Sequence, residues 1–213
     1  VPALTGRVQD EQKTASSVYF DAEANRYETH RRWRHVKRQQ SLTLAALELQ
    51  TGDRLLDVGC GTGAAVRSAA VLATRAVGLD LAPGMIEEAR RLAADLPNVE
   101  FEVGDSEHLP FEDDEFTAVL CSTSLHHYPR PGEAIREMAR VLAPGGRIAV
   151  GDSNPEQLIV RAVDRRLKRR EPGHLGFHSP DELTRLLADA GFAEISLRRL
   201  HRLGFVIALA RKP

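Results

Sequence analysis

The chain has 213 residues, and its 29 Lys+Arg stand against 30 Asp+Glu for a formal charge of −1. That balance excludes a uniformly basic nucleic-acid coat and an acidic disordered tail, and 42% hydrophobic with 28% charged residues is ordinary globular composition. A chain this long buries roughly 70% of its unfolded surface, so it needs no disulfide or metal staple, and its length favours a single domain.

Taken in chain order, residues 15–50 read as a helical prelude, with a local charge of +5 over 26–38. The run 54–58 is a short buried strand ending in glycines, and 64–73 a helix. A second strand covers 76–79. The helix predicted over 83–96 carries Met85, Ile86, Ala89, Leu92, Ala93 and Leu96 on one stripe. Third and fourth strands follow at 99–103 and 116–121. A helix over 131–142 is closed by Pro144-Gly145-Gly146, and a fifth strand covers 147–151. Beyond it, 156–170 reads as a helix, and 161–171 has a local charge of +4. Ser179, Pro180 and Glu182 form a capping-box signature for a helix that Gly191 stops. Two closing strands, 195–200 and 205–210, make a hairpin. Strands alternating with helices predict an α/β fold, a mostly parallel sheet with helices on both faces.

The cysteines, Cys60 and Cys121, fall in two different apolar runs. This argues against a disulfide framework and for a reducing, cytoplasmic setting. No run of about 18 apolar residues is present, so no membrane span is expected. The opening residues 1–6 lack the apolar core of a secretory signal.

The strongest local signal is Leu55-Leu56-Asp57-Val58-Gly59-Cys60-Gly61-Thr62-Gly63, a strand running through a glycine turn into a helix. Glycines there let a nucleotide-like ligand approach the backbone, and the helix behind offers free N–H groups. Gly59, Gly61 and Ala64 satisfy a dinucleotide fingerprint, with Asp80 placed for a ribose, so an NAD-dependent oxidoreductase is one reading. Asp57 argues against it, because a carboxylate at the loop disfavours a pyrophosphate. A cationic ligand without phosphates suits it better, and S-adenosylmethionine has that chemistry. Asp57, Asp80, Asp105 and Cys121 all fall near the ends of successive strands, where open parallel sheets bind ligands. Asp105 and the Ser106 N–H suit an adenine edge.

With these residues in view, the chain resembles the class I S-adenosylmethionine-dependent methyltransferases of the type 11 small-molecule group. The resemblance rests on 55–63, on 77–80 with Met85, on 102–106 and on 140–147, and it covers roughly 40–210. It implies a Rossmann-like seven-stranded sheet of order 3-2-1-4-5-7-6 with the last strand antiparallel. Residues 41–213 would be the methyltransferase domain and 1–40 an N-terminal helical lid. Gly59, Cys60, Gly61 and Gly63 would wrap the methionine part, with Asp57 organising the loop. Asp80 would take the ribose, Asp105 and Ser106 the adenine, and Leu81 and Met85 would pack on it. Cys121 or Ser122 would offer a carbonyl to the ammonium. The stretch 19–27 is similar to the F-D-x-x-A-x-x-Y opening of this group, which puts Tyr19 and Tyr27 over the cofactor.

Transfer from a sulfonium needs alignment above all, and a base only where the acceptor holds a proton of high pKa. His126 and His127 after the fourth strand are the candidate bases. His174 and His178 are candidate substrate contacts. No metal is expected, because adjacent histidines are taken to point apart. The implied reaction is methyl transfer to a small-molecule acceptor by in-line displacement, releasing S-adenosylhomocysteine, in a monomer or homodimer. The alternative partner is RNA, held by the basic segments 26–38 and 161–170, although no amino-methylating motif follows the fourth strand.

Overall fold

The structure, a computed structural model, describes residues 6–213, the side chain of Arg32 excepted. The opening residues 1–5, where no secretory signal is expected, lie outside the described residues. Two helices, α1 (Gly6–Tyr27) and α2 (Arg34–Leu47), precede the first strand. There follow β1 (Arg54–Val58), α3 (Ala64–Ala69), β2 (Arg75–Asp80), α4 (Pro83–Leu92), β3 (Val99–Val103) and β4 (Phe116–Ser122). Then come α5 (Pro131–Val141), β5 (Leu142–Ser153), α6 (Leu158–Leu167), α7 (Pro180–Asp189), β6 (Ala193–Leu200) and β7 (Phe205–Arg211). The strands form one seven-stranded sheet of order β3-β2-β1-β4-β5-β7-β6. The first five are parallel, and β7 runs antiparallel to both β5 and β6.

Alternation along the strands divides the core. Leu56, Val58, Val77, Leu79, Val119, Ile148 and Val150 pack with Ile135, Met138, Leu183 and Leu187 of α5 and α7. Leu55, Ala76, Ala118, Leu120 and Ala149 pack with Leu47, Val66, Ile86 and Ala89 of α2, α3 and α4. Central strands covered on both faces bury side chains on both, which is why Leu55, Leu56 and Val58 of β1 and Ala118, Val119, Leu120 and Cys121 of β4 are apolar.

Several element ends differ from expectation. α3 stops at Ala69, and the Asn98 side chain donates to the carbonyls of Ala70 and Ala73, holding a turn where more helix was predicted. α4 stops at Leu92, short of Pro97, which disfavours helical geometry in the residue before it. Pro144-Gly145-Gly146 does not separate helix from strand. It lies inside β5 as an irregularity, with Gly145 donating to the Lys212 carbonyl and Lys212 to that of Gly146. The segment 156–170 is helical over Leu158–Leu167. Residue 40 falls inside α2, which packs as one helix against β4, β5 and β7.

The capping box is formed: Ser179 Oγ accepts from the Glu182 N–H, and the Ser179 N–H donates to Glu182 Oε2 at 2.7 Å. Ser179→Ala is expected to cost about 1 kcal/mol. Chemical denaturation should show a lower midpoint at unchanged slope. Among the described residues no helix is long and apolar enough to cross a membrane.

Candidate active site

The parallel strands end together on one edge, and their following loops enclose a cavity of about 710 Å³, including its open mouth. Gly59 and Gly61 come from the loop after β1, and Asp80, Leu81 and Met85 from the end of β2 and α4. Gly104, Asp105 and Ser106 follow β3, and Thr123, Ser124 and His127 follow β4. Lys13, Ser16, Phe20 and Tyr27 of α1 and Gln40 of α2 cover them.

The glycine loop is held by Asp80. Its Oδ2 accepts from the Gly61 N–H at 2.8 Å and its Oδ1 from the Ala82 N–H at 2.9 Å. Gly59 has φ 77°, and a Cβ there would stand 2.5 Å from the Ser124 Cβ and 2.6 Å from the Tyr128 hydroxyl. Burial raises the Asp80 carboxyl, while its backbone donors pull it back. Asp57, 2% exposed, is pushed up to about 8 by burial and by neighbouring Asp80.

α1 and the residue that follows it are fastened across this edge at four points. Lys13 Nζ donates to Asp105 Oδ2 at 2.7 Å and also pairs with Glu107. The Ser17 hydroxyl donates to the Leu81 carbonyl. Asp21 accepts from the Gly84 N–H at 2.7 Å, and Glu28 accepts from the Thr62 hydroxyl at 2.7 Å.

A second cavity, of about 650 Å³, adjoins the first. Phe20, Tyr27, Thr123 and His127 line both. Its other walls are Trp33, His35, Val36 and Gln39 before and along α2, His126 and Ser153, and Leu167, Glu171 and Phe177.

Comparison with known proteins supplies the family. A family model described as "Methyltransferase domain" matches residues 56–150. A demethylmenaquinone methyltransferase of Clavibacter sepedonicus is 33% identical over 178 residues, which cover 74% of this chain and 73% of that protein. The chain belongs to the class I S-adenosylmethionine-dependent methyltransferases. A 27-O-demethylrifamycin SV methyltransferase of Amycolatopsis mediterranei is 38% identical over 151 residues, 68% of this chain and 56% of that one. The chain spans about half the length of the first curated relatives it matches, 47% and 56% of two of them. Among solved structures, Haemonchus contortus phospholethanolamine N-methyltransferase 2, in complex with phosphomonomethylethanolamine and S-adenosylhomocysteine, superposes with a TM-score of 0.70. It is 16% identical, covering 83% of this chain and 52% of that one, a likeness of fold.

The cofactor of this family is S-adenosyl-L-methionine. The nicotinamide reading of the glycine loop is thereby corrected. The residues present fit a cationic ligand bearing hydroxyls. Two acidic side chains, Asp57 and Asp80, stand together at raised pKa. Buried Gln40 Oε1, on a residue lining the first cavity, has no hydrogen-bond partner among the described residues and awaits a donor.

Not every residue expected at the site lines the first cavity. Cys60 turns its side chain into the core beside Phe101 and Ala89, and its N–H is taken by the Leu79 carbonyl. Gly63 lies outside the cavity, under the Phe101 ring, where a Cβ would collide with it. Cys121 is wholly buried, and Ser122 Oγ lies 3.0 Å from Thr43 Oγ1, so neither side chain lines the cavity, while the role expected of these residues belongs to their backbone carbonyls. The β4 end that reaches the cavity is Thr123-Ser124, because Thr123 turns the chain at φ 56°. Tyr19 does not line the cavity but packs edge-on against Phe20, which takes the place expected of it. His178 lines neither cavity. His174 lies behind the second, its Nε2 donating to Asp164 Oδ1 at 2.9 Å. Lys13, Gln40 and Thr123 carry no motif in the sequence.

His126 and His127 share one 3-10 turn, Leu125–His127, and do not diverge: their ring centroids are 4.3 Å apart. His126 lines the second cavity alone, whereas His127 lies between the two. Burial pushes both well below the ordinary histidine value.

The raised Asp57 predicts a pH dependence. Its folded-state pKa, about 8, exceeds the ordinary 3.8, so the folded protein without ligand holds a proton that the unfolded chain has lost. This contribution to stability therefore declines as pH rises from about 4 to about 8. A cationic ligand reverses the preference by favouring the carboxylate. S-adenosylhomocysteine affinity is expected to rise between pH 6 and 8 and then level. Calorimetry across that range should find the rise flattened in Asp57→Asn.

Proposed function

We propose that this methyltransferase moves its methyl group to a small-molecule acceptor seated in the second cavity, by in-line displacement. The observation that carries this reading is the shared wall of Phe20, Tyr27, Thr123 and His127 between the two cavities. Bound S-adenosylmethionine supplies an electrophilic methyl on a sulfonium. The protein's own part is to place both partners and to exclude water.

In this reading Gly59 and Gly61 lie against the methionine part, with Gln40 Oε1 facing its ammonium and Asp57, buried at the end of β1, organising the loop and adding its charge nearby. Asp80 takes ribose hydroxyls while holding the loop. Leu81 and Met85 form the apolar wall for the adenine, and Asp105 and Ser106 meet its polar edge. Residues 1–40 act as the lid over 41–213: α1 covers the cofactor, and its Phe20 and Tyr27 separate it from bulk water. His127, at the junction, contacts the acceptor.

The size of the second cavity lies in the range of small-molecule sites, and its walls are largely aromatic. The relatives named for demethylmenaquinone and 27-O-demethylrifamycin SV support the same class of acceptor. The RNA alternative rests on the basic segments 26–38 and 161–170, where Arg161, Arg165, Arg166, Arg169 and Arg170 are all exposed. None of these arginines lines either cavity, which leaves them apart from the proposed acceptor site. Incubation with methyl-labelled cofactor, metabolite extract and total RNA tests the proposal. Label is expected in low-molecular-weight products. Label in RNA, through binding that weakens steeply with salt, would overturn it.

A further inference from the structure

Behind the second cavity, His126, His127 and His174 each offer one ligand atom, and these atoms all lie within 4.8 Å of one another. The outward nitrogens of the rings are committed. His126 Nδ1 lies 2.9 and 3.0 Å from the two carboxylate oxygens of Asp152. His174 Nε2 lies 2.9 Å from Asp164 Oδ1. His127 Nδ1 lies 3.1 Å from the Gly173 carbonyl, which can only accept, so that nitrogen carries the proton. With the same assignment at all three, Nε2 of His126, Nε2 of His127 and Nδ1 of His174 are bare lone pairs.

Two of those lone pairs are left in poor surroundings. His174 is 5% exposed, and its Nδ1 is buried with no hydrogen-bond partner among the described residues. His127 Nε2 faces Glu171 Oε1 at 3.6 Å, a lone pair against a carboxylate. A cation between them removes the conflict. Two ligand atoms on one tetrahedral zinc stand roughly 3.4 Å apart, from Zn–ligand distances of about 2.0–2.1 Å. Atoms already within 4.8 Å of one another need only small ring movements to reach that spacing. Imidazoles whose far N–H donates to a carboxylate or carbonyl are also the usual outer arrangement of metal-ligating histidines.

We propose that His126, His127 and His174 form a binding site for a first-row divalent cation of zinc type, with Asp152, Asp164 and the Gly173 carbonyl orienting the three rings. Three neutral imidazoles suit zinc or a neighbouring transition metal over magnesium or calcium. Three protein ligands leave a coordination position open. Because His126, His127 and Glu171 line the second cavity, that position is accessible to a small molecule held there. The metal site is independent of the acceptor reading: if no ion binds, His127 still stands at the junction as a side chain in its own right.

The test uses tag-free protein stripped with chelator, then titrated with Co²⁺ followed by visible absorption, and with Zn²⁺ by calorimetry. The expected result is one equivalent per chain. Asp164→Asn should weaken binding about 10–100-fold, the usual effect of losing an orienting partner. His174→Ala and His127→Gln should abolish stoichiometric binding, and His108→Ala, an exposed histidine elsewhere, should leave it unchanged. S-adenosylhomocysteine binding by each variant reports its fold. If buried His174→Ala does not fold, His127→Gln and Asp164→Asn decide. Absence of stoichiometric binding by the unaltered protein, or binding that both variants leave intact, overturns the site. Retained S-adenosylhomocysteine binding in that case leaves the proposed function standing.

Discussion

Asp80→Asn is expected to weaken S-adenosylhomocysteine binding by about 3 kcal/mol, roughly 150-fold, with the fold retained. The carboxylate accepts from two backbone N–H groups, one in the glycine loop and one at the start of α4. An asparagine has one oxygen and one NH₂. Whichever way the amide turns, it presents a donor to one of those N–H groups, leaving that group unpaired and pushed away. Hydrogen bonds to a charged group contribute about 1.5–3 kcal/mol each, so losing one and disturbing the other accounts for the figure. The ribose contact would be lost in addition. Calorimetry beside a thermal melt separates binding from stability. Unchanged affinity in a folded variant would remove Asp80 from the site.

Gly59→Ala is expected to lower affinity at least about 100-fold. A non-glycine residue at φ 77° carries about 1–2 kcal/mol of backbone strain. The new Cβ would also press on Ser124 and Tyr128, whose hydroxyls both donate to the Val58 carbonyl. They cannot yield without disturbing the end of β1, and overpacking of this kind costs about 1–3 kcal/mol more. Gly52→Ala is the control. It shares a positive φ of 96° but has open space where the Cβ would go. It should lose stability alone and bind normally.

The core strands and the glycine loop were legible because their signal is local. A strand covered on both faces buries apolar side chains on both, and a turn at positive φ selects glycine. Asp80 was legible as a strand-end carboxylate, although its hold on Gly61 depends on the fold. What escaped depended on phase or on distance. Tyr19 and Phe20 differ by one position on a helix, about 100° of rotation, and that decides which one faces the cavity. Thr123 lines the cavity beyond the end of β4, and nothing in the sequence marks a threonine held left-handed. Lys13 reaches Asp105 across 92 positions, and Gln40 sits in a helix with no motif around it. Adjacent histidines were expected to diverge as on an extended strand, but a tight 3-10 turn brings their rings together.

The opposed local charges follow the same division. Acidic groups end the strands beneath α1, while exposed arginines occupy α6 and exposed Arg31 lies between α1 and α2. A formal charge of −1 therefore conceals a site suited to a cationic methyl donor beside a basic rim.

The most direct test of the two-cavity account is a crystal structure with S-adenosylhomocysteine bound. The account predicts the adenine against Leu81 and Met85 and the sulfur directed at the wall of Phe20, Tyr27, Thr123 and His127, facing the second cavity. A sulfur directed away from that wall, with the second cavity cut off from it, would contradict the account.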